Sequence, residues 1–338
     1  MSAFPLPHRV ERDPGTRWSK NDPIAIDAPP DAAADLAPDA AWPTSVPRAG
    51  SCGAVSACTI ALPDGTLRMY YTQILPRPGF PDGANDYDNA ATRILSAHSS
   101  DGLAWTPEPG VRLSPQQVDE AMIRVVAPEV VPTQEDRTIL RMYFETCSGP
   151  RNRNTPIRSA RSEDGGLTWQ VEPGNRFGGP EDGLGGCRLI ELEDGRCRLY
   201  LSRHGHGIIS ALSTDGGWTF TEEPGIRLAP ATLPYDAATA FSPEVLLLPT
   251  GGYRMYYAGY SDPTHAYVLT ATSEDGLTWQ KHPEPIITPG GRYDRLKCSE
   301  MTVAKLPDSD QYRMYYEACD GTTHTHRGVW RILSATAK

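Results

Sequence analysis

Five segments of this chain carry nearly the same four residues: "RMYY" at 68–71, "RMYF" at 141–144, "RLYL" at 198–201, "RMYY" at 254–257 and "RMYY" at 313–316. Four others read as a tight turn followed by an aromatic: "SSDGLAW" at 99–105, "SEDGGLTW" at 162–169, "STDGGWTF" at 213–220 and "SEDGLTW" at 273–279. Such self-similarity constrains the fold more than any local propensity, because one supersecondary unit must serve many times over. Short stretches such as "RILSAHS", "IRSARS", "IISALS" and "YVLTATS" lie between the two phrases. Each unit therefore reads as strand, hairpin, aromatic strand, loop, strand, tight turn, strand. With 31 Gly, 32 Pro and no sustained helical periodicity, the composition agrees with short strands joined by many turns.

The turns have a chemical rationale. The carboxylates of Asp101, Asp164, Asp215 and Asp275 can accept backbone N–H groups two residues on, the glycine supplies positive φ, and the Trp or Phe offers a large packing face. "SEDGGLTW" and "STDGGWTF" match the Asp-box pattern S-x-D-x-G-x-T-[WF] of sialidases and related propellers, and the other two are one residue shorter. Beside the repeated "RMYY", the chain resembles the five-bladed propellers of the arabinanase, xylosidase and fructosidase superfamily. The resemblance implies an all-β, five-bladed β-propeller as a single domain over 1–338, with blades at about 48–115, 118–178, 179–230, 231–289 and 290–338.

The fifth unit stops after "RILSATAK" and lacks its turn and outer strand. A stray copy lies at the other end: "DPGTRWSKNDPIAI" at 13–26 aligns with "EDGLTWQKHPEPII" at 274–287, Trp18 over Trp279. The N-terminal strand is thus expected to complete the last blade and remove an open edge. Residues 27–47 read as a Pro/Ala-rich connector.

In such a unit the start of the first strand and the loop between strands two and three share one face, and the Asp turns share the other. The first strands begin at "CGAVSACTIAL" (52–62), "APEVVP" (127–132), "GCRLIEL" (186–192), "SPEVLLLP" (242–249) and "CSEMTVAKL" (298–306). Glu129, Glu244 and Glu300 are accordingly expected at the mouth of a central channel, with Arg188 in the corresponding place of unit three. Carboxylates in a concave polar site suit glycoside hydrolysis, and their repulsion would raise one of them into an acid's range. The competing role for a channel carboxylate is to bind water or an arginine. The second-strand loops bring Arg203, His204, Glu145, Tyr260, Glu317 and Asp320 to the same face as substrate-binding candidates.

The resembled hydrolases carry an Asp on blade one, an Asp on blade two and a Glu on blade three. Here only Glu129 falls at such a position, since blade one offers Cys52 and Ser56 and blade three Arg188. "RHGHG" at 203–207 and "THTHR" at 323–327 open a second route. His204 with His206, and His324 with His326, could each turn two imidazoles to one site, suiting a divalent transition metal in the channel. The sequence reading thus ranks a carbohydrate-active, glycoside hydrolase-like enzyme first, ahead of a histidine-dependent biosynthetic enzyme on the same face and a non-catalytic ligand-binding propeller.

A net charge of −10 and a pI near 5.3 argue against nucleic-acid or anionic-membrane partners and favour a small-molecule or oligosaccharide substrate. No run approaches the ~20 apolar residues of a membrane span or a secretory h-region, from which a soluble, cytoplasmic protein is expected. Seven cysteines without CxxC spacing point to buried thiols rather than disulfides or a zinc ribbon.

Overall fold

The computed structural model describes residues 2–27, 52–76, 90–119, 122, 124–147, 155–179, 183–321 and 329–338. Within them, strands fall into five antiparallel groups of four. Unit one holds β2 (Cys52–Ala61), β3 (Leu67–Pro76), β4 (Ala90–Ser99) and β5 (Thr106–Pro107); unit two holds β6 (Arg124–Pro132), β7 (Leu140–Cys147), β8 (Ile157–Ser162) and β9 (Gln170–Val171). Unit three holds β10 (Leu184–Glu191), β11 (Cys197–Arg203), β12 (Gly207–Ser213) and β13 (Thr221–Glu222); unit four holds β14 (Thr239–Leu247), β15 (Tyr253–Asp262), β16 (His265–Ser273) and β17 (Gln280–Lys281). Unit five takes β18 (Lys297–Lys305), β19 (Tyr312–Cys319) and β20 (Val329–Ala337), and its fourth strand is β1 (Trp18–Lys20). Helix among the described residues is confined to α1 (Pro115–Val118) and a 3-10 turn at Pro234–Asp236. The first strands touch in sequence, β2 to β6, β6 to β10, β10 to β14, β14 to β18 and β18 to β2.

The repeated tetrapeptide explains how one unit grips the next. Residues i and i+2 of a strand share a face. The Arg and first aromatic of "RMYY" therefore point together toward the neighbouring unit, while Met69, Met142, Met255 and Met314 are fully buried on the opposite side. Tyr70 donates its hydroxyl hydrogen to the Gly166 carbonyl at 3.1 Å, Tyr143 to Gly217, Tyr200 to Gly276 and Tyr315 to Gly102, the last three at 2.8 Å. Each acceptor belongs to the tight turn of the next unit. The aromatic of that turn meets the same tyrosine edge-on: Trp169 with Tyr70 at 5.8 Å, Phe220 with Tyr143 at 6.0 Å, Trp279 with Tyr200 at 5.9 Å and Trp105 with Tyr315 at 5.3 Å. T-shaped pairs of this kind contribute about 0.5–1.5 kcal/mol beyond their buried area.

The turns themselves are held as their sequence implies. In the second, the Asp164 carboxylate accepts the Leu167 and Thr168 amides and the Thr168 hydroxyl, while Ser162 Oγ accepts the Gly166 amide. These bonds hold the Asp164 carboxyl down to about 2 against the opposing effect of its partial burial. Gly166 has φ +89°, and a Cβ there would collide with the Tyr70 hydroxyl, so only glycine allows the latch to close.

The N-terminal copy makes the tyrosine and aromatic contacts of this latch with unit four and supplies the missing strand of unit five. Tyr256 donates to the Gly15 carbonyl at 2.8 Å, and Trp18 meets the Tyr256 ring at 5.6 Å and 85°. Arg254 pairs with both Asp13 carboxylate oxygens at 2.5 Å. Lys20 reaches the buried Asp294 at 2.5 Å just as Lys281 reaches Asp236, and Tyr316 and Tyr257 donate to those two aspartates. Strand β1 pairs with β20 through Trp18 opposite Ala337, and Ile26 bridges Ile332 as Ile287 bridges Val268. The connector expected at 27–47 lies, from residue 28, outside the described residues.

Replacing Trp18 by Ala is expected to lower stability by about 2 kcal/mol, since a half-buried indole and its edge-on partner are lost together. Trp18→Phe should recover most of the loss. Urea melts of the three proteins check both, and equal midpoints for Trp18→Ala and the parent would show that β1 does not secure unit five.

Candidate functional site

The channel side of the five units has two levels. The lower level is set by the residues that pair with the first tyrosine of each latch: Cys58 opposite Tyr70, Glu129 opposite Tyr143, Arg188 opposite Tyr200, Glu244 opposite Tyr256 and Thr302 opposite Tyr315. Four of them accept the backbone N–H that follows the equivalent position of the next unit. Val130 donates to Cys58 Sγ at 3.3 Å, Leu189 to Glu129 Oε1 at 3.0 Å, Val303 to Glu244 Oε1 at 2.7 Å and Thr59 to Thr302 Oγ1 at 3.3 Å. Arginine has no acceptor, so unit three inverts the link. Arg188 donates to Glu244 Oε2 at 2.6 Å and reaches across to the carbonyls of Ala57 and Met301.

Sequence reasoning gave residues 2–12 no role, and the structure places them across the far ends of the first strands. The Phe4 amide donates to Arg137 O, Leu247 to His8 O, Val10 to Leu247 O and Glu11 to the Tyr312 hydroxyl. His8, at φ 64°, turns its ring into the lower level, where Nε2 meets Glu129 Oε1 at 2.7 Å and Nδ1 lies 3.8 Å from Glu244 Oε1. Burial opposes a charged imidazole, but Glu129 and Glu244 outweigh it and raise its proton affinity above the ordinary value. Burial likewise opposes the Glu129 carboxylate, and His8, Arg188 and the Leu189 amide together hold its pKa below the ordinary range.

Glu129, Glu244 and Glu300 were expected at one mouth, and the structure separates them. Glu129 and Glu244 are 0 % exposed and bonded to Arg188, His8 and backbone, so neither lines the cleft. Arg188, expected to bind substrate, is their counter-ion. The physical reason is register. Every unit carries one extra residue against its second strand ahead of the lower level, but Glu129 and Glu244 occupy that level themselves, whereas in unit five Thr302 occupies it and Glu300 lies two residues before it.

The upper level is a cleft of about 400 Å³ walled by Phe241, Tyr260 and Trp330, with Glu145, Glu300 and Glu317 among its lining groups. Its walls come from first-strand starts and from the junctions of second and third strands, the face expected from topology, and no Asp-turn residue lines it. Ser56 Oγ donates to Glu300 Oε2 at 2.7 Å, Ser56 N to Glu317 Oε2 at 3.2 Å and Ser299 Oγ to Glu317 Oε1 at 2.6 Å. Burial raises both carboxyls, and the charge of Glu300 raises Glu317 further, to well above the usual carboxylate range. The repulsion anticipated among three channel glutamates thus acts between Glu300 and Glu317. Buried Lys297 lies over the Tyr260 and Trp330 rings at 5.6 and 5.4 Å.

Arg203, His204, Glu145, Tyr260 and Glu317 all line this cleft, although Arg203 also forms a two-pronged pair with Glu222. Asp320 instead caps the Val329 amide at 3.2 Å and faces Arg331. Of the metal candidates, His206 takes the His204 carbonyl at Nδ1, and His324 and His326 lie outside the described residues. No group of three His, Cys, Asp or Glu suited to a metal is gathered among the described residues. Cys187 and Cys298 are buried thiols pushed up by that burial, which leaves them poor nucleophiles. Phe241, Trp330 and His8 escaped the sequence reading, and Ser56 entered it only as what blade one offers in place of an Asp. Glu145 and Glu317 carried a signal, as the equivalent glutamates of "RMYFETC" and "RMYYEAC".

No protein-family model matches the chain, and no curated protein matches it. Solved structures do. One described as a glycoside hydrolase superposes with a TM-score of 0.67 at 14 % identity over 94 % of this chain and 92 % of its own. A thermostable family-43 glycoside hydrolase gives 0.62 at 16 % identity, over 86 % and 90 %. The β-1,2-mannobiose phosphorylase from Listeria innocua, in complex with β-1,2-mannobiose, gives 0.65 at 15 % identity over 100 % and 97 %. The fold is that of propeller glycoside hydrolases. At these identities the likeness extends to architecture, and the chemistry must be argued from this chain's own cleft. No helix among the described residues is long and apolar enough to cross a membrane.

The lower level predicts a defined pH response. His8 has a raised folded pKa, so its contribution is full below about pH 6.5 and is lost as the pH rises through that folded value; Glu129 has a lowered one, so its contribution is full above about pH 4.5 and is lost as the pH falls through it. His8→Gln should therefore cost about 3 kcal/mol near pH 5.5 and less near pH 9. Arg188→Met, which strands two buried carboxylates, should cost about 3–5 kcal/mol at neutral pH. Urea unfolding at each pH measures both, and a His8→Gln penalty independent of pH would remove the ion pair from the account.

Proposed function

We propose that the chain is a carbohydrate-active enzyme, a single five-bladed β-propeller whose last blade β1 completes, and that it cleaves a glycosidic bond in the upper cleft. The observation that carries this reading is the pair of neighbouring carboxyls, half-buried Glu300 and buried Glu317, joined through Ser56 and facing an aromatic-walled cavity of sugar size. Two neighbouring carboxyls that cannot both ionise easily retain one proton near neutrality, and a retained proton is what the departing glycosidic oxygen needs. Glu145, reaching the same cleft from unit two, is assigned the opposite carboxylate, which attacks the anomeric carbon or activates the nucleophile that does. Phe241, Tyr260 and Trp330 offer faces to the apolar sides of sugar rings. Of the three glutamates expected to be catalytic, this reading keeps Glu300 in the chemistry and gives Glu129 and Glu244 to the channel's framework.

The solved structures of this fold include both hydrolases and a phosphorylase, which supports a sugar substrate and leaves the second reactant to be found. The test is a panel of aryl glycosides and manno-, arabino- and xylo-oligosaccharides, each with and without inorganic phosphate. Free sugar in both arms identifies water as acceptor, and sugar 1-phosphate only with phosphate identifies phosphorolysis. Glu300→Gln and Glu317→Gln should each lower kcat at least about 100-fold with an unchanged melting temperature. Full turnover in both variants, or no cleavage anywhere in the panel, overturns the proposal.

A further inference from the structure

Ser56 belongs to a set of positions that the repeat makes comparable. It is the first of the two residues that stand opposite one in the bulge of unit one, and its equivalents are Ala127, Gly186 and Ser242. All four adopt left-handed backbone, with φ of 50°, 51°, 55° and 51°. A non-glycine residue there is strained, by about 1 kcal/mol or more, so the fold demands the conformation while leaving the side chain free to differ. Alanine at 127 and glycine at 186 show that no hydroxyl is needed to build the insertion. In units one and four the residue is nevertheless a serine, and both hydroxyls converge on the Glu300 carboxylate between them.

Ser56 also contacts the second carboxylate, through its amide to Glu317. One residue thus touches both members of the pair by different groups, the hydroxyl on the partly exposed Glu300 and the backbone on the 5 % exposed Glu317. A hydrogen bond donated to a carboxylate favours its ionised form: the Ser56 hydroxyl acts so on Glu300, and the Ser56 amide and the Ser299 hydroxyl on Glu317, where deeper burial and the charge of Glu300 outweigh them. We propose, building on the acid/base reading of this cleft, that Ser56 is a positioning residue that divides the pair's single proton, holding Glu300 ionised so that the proton rests on Glu317. Donation to a leaving group would then start from Glu317, with Glu300 as the fixed negative neighbour.

The other charges around the pair bear on the same balance. Arg188 lies beneath Glu300 and favours its ionised form, while Lys297 favours ionised Glu317. Tyr260 stands beside Glu317 as a neutral phenol, raised by burial and by that carboxyl. Glu145, Asp262, Arg203 and His204 complete the rim. Ser56 is hydrogen-bonded to both carboxylates, one through its hydroxyl and the other through its amide.

Ser56→Ala is the decisive variant, because Ala127 already holds alanine in this backbone conformation and the amide to Glu317 is retained. Carboxyl titration is followed in the resting protein by carbon-13 NMR with labelled glutamate, the Glu300 and Glu317 signals being assigned by loss in Glu300→Gln and Glu317→Gln. The expected result is an upward move of the Glu300 titration by about one pH unit in Ser56→Ala, with an unchanged melting temperature. In the active enzyme the acid limb of the pH–rate profile should move by the same amount. Ser56→Gly supplies a second variant, expected to give the same shift whatever the effect of alanine on folding. A Glu300 titration unmoved in the folded variants overturns the proposal. The NMR titration needs no turnover, so a protein that cleaves no glycoside yet shows the shift would defeat the proposed function and leave the role of Ser56 standing.

Discussion

The structure depends on one recurring need: in units one, two, three and five the backbone N–H that follows the lower-level position must find an acceptor away from water, and between units three and four Arg188 makes the link as a donor. Leaving such a group unpaired costs about 1–3 kcal/mol, and the same requirement recurs around the channel. Cys58, Glu129, Glu244 and Thr302 answer it with four different side-chain oxygens or sulfur from three residue types, each reaching from one unit to the next. The tyrosine latches at the other end repeat the logic with a turn carbonyl as acceptor. Neighbouring units are thereby fastened at both ends of their shared face, and the packing of Met, Leu and Val between them only has to fill space.

Placing charge in that ring has consequences above it. Two carboxylates, one guanidinium and one imidazole occupy the lower level, so the floor of the cleft is polar and close to electrically balanced. Glu300 and Glu317 sit over that floor, where burial raises the proton affinity of both, while His8, Arg188 and the Leu189 amide lower that of Glu129. Glutamates at different levels of equivalent strands thus receive opposite acid strengths from their surroundings.

Much of this was legible in the sequence. The repeated phrases marked an all-β chain with its Asp turns away from the cleft, and Trp18 over Trp279 implied the pairing of the stray copy with the last strand that β1 and β20 make. Glu145, Glu317, Tyr260, Arg203 and His204 were placed on the right face by topology alone. What could not be read was depth. "APEV", "SPEV" and "CSEM" look alike as text, yet Glu129 and Glu244 pair with the latch tyrosine of their unit, while in unit five Thr302 does so and Glu300 lies two residues before it. Which residue faces the tyrosine is set by the register with the second strand and leaves no mark in the first strand's own sequence. His8 was hidden for a different reason, since a single histidine in an irregular segment has no periodicity to betray that it fills a channel.

The pairing of β1 with β20 joins a segment made early in synthesis to one made late. Trp18 has no strand to lie against unless Val329–Ala337 is in place, so the two segments farthest apart among the strands secure one unit jointly and a lesion in either is felt in both.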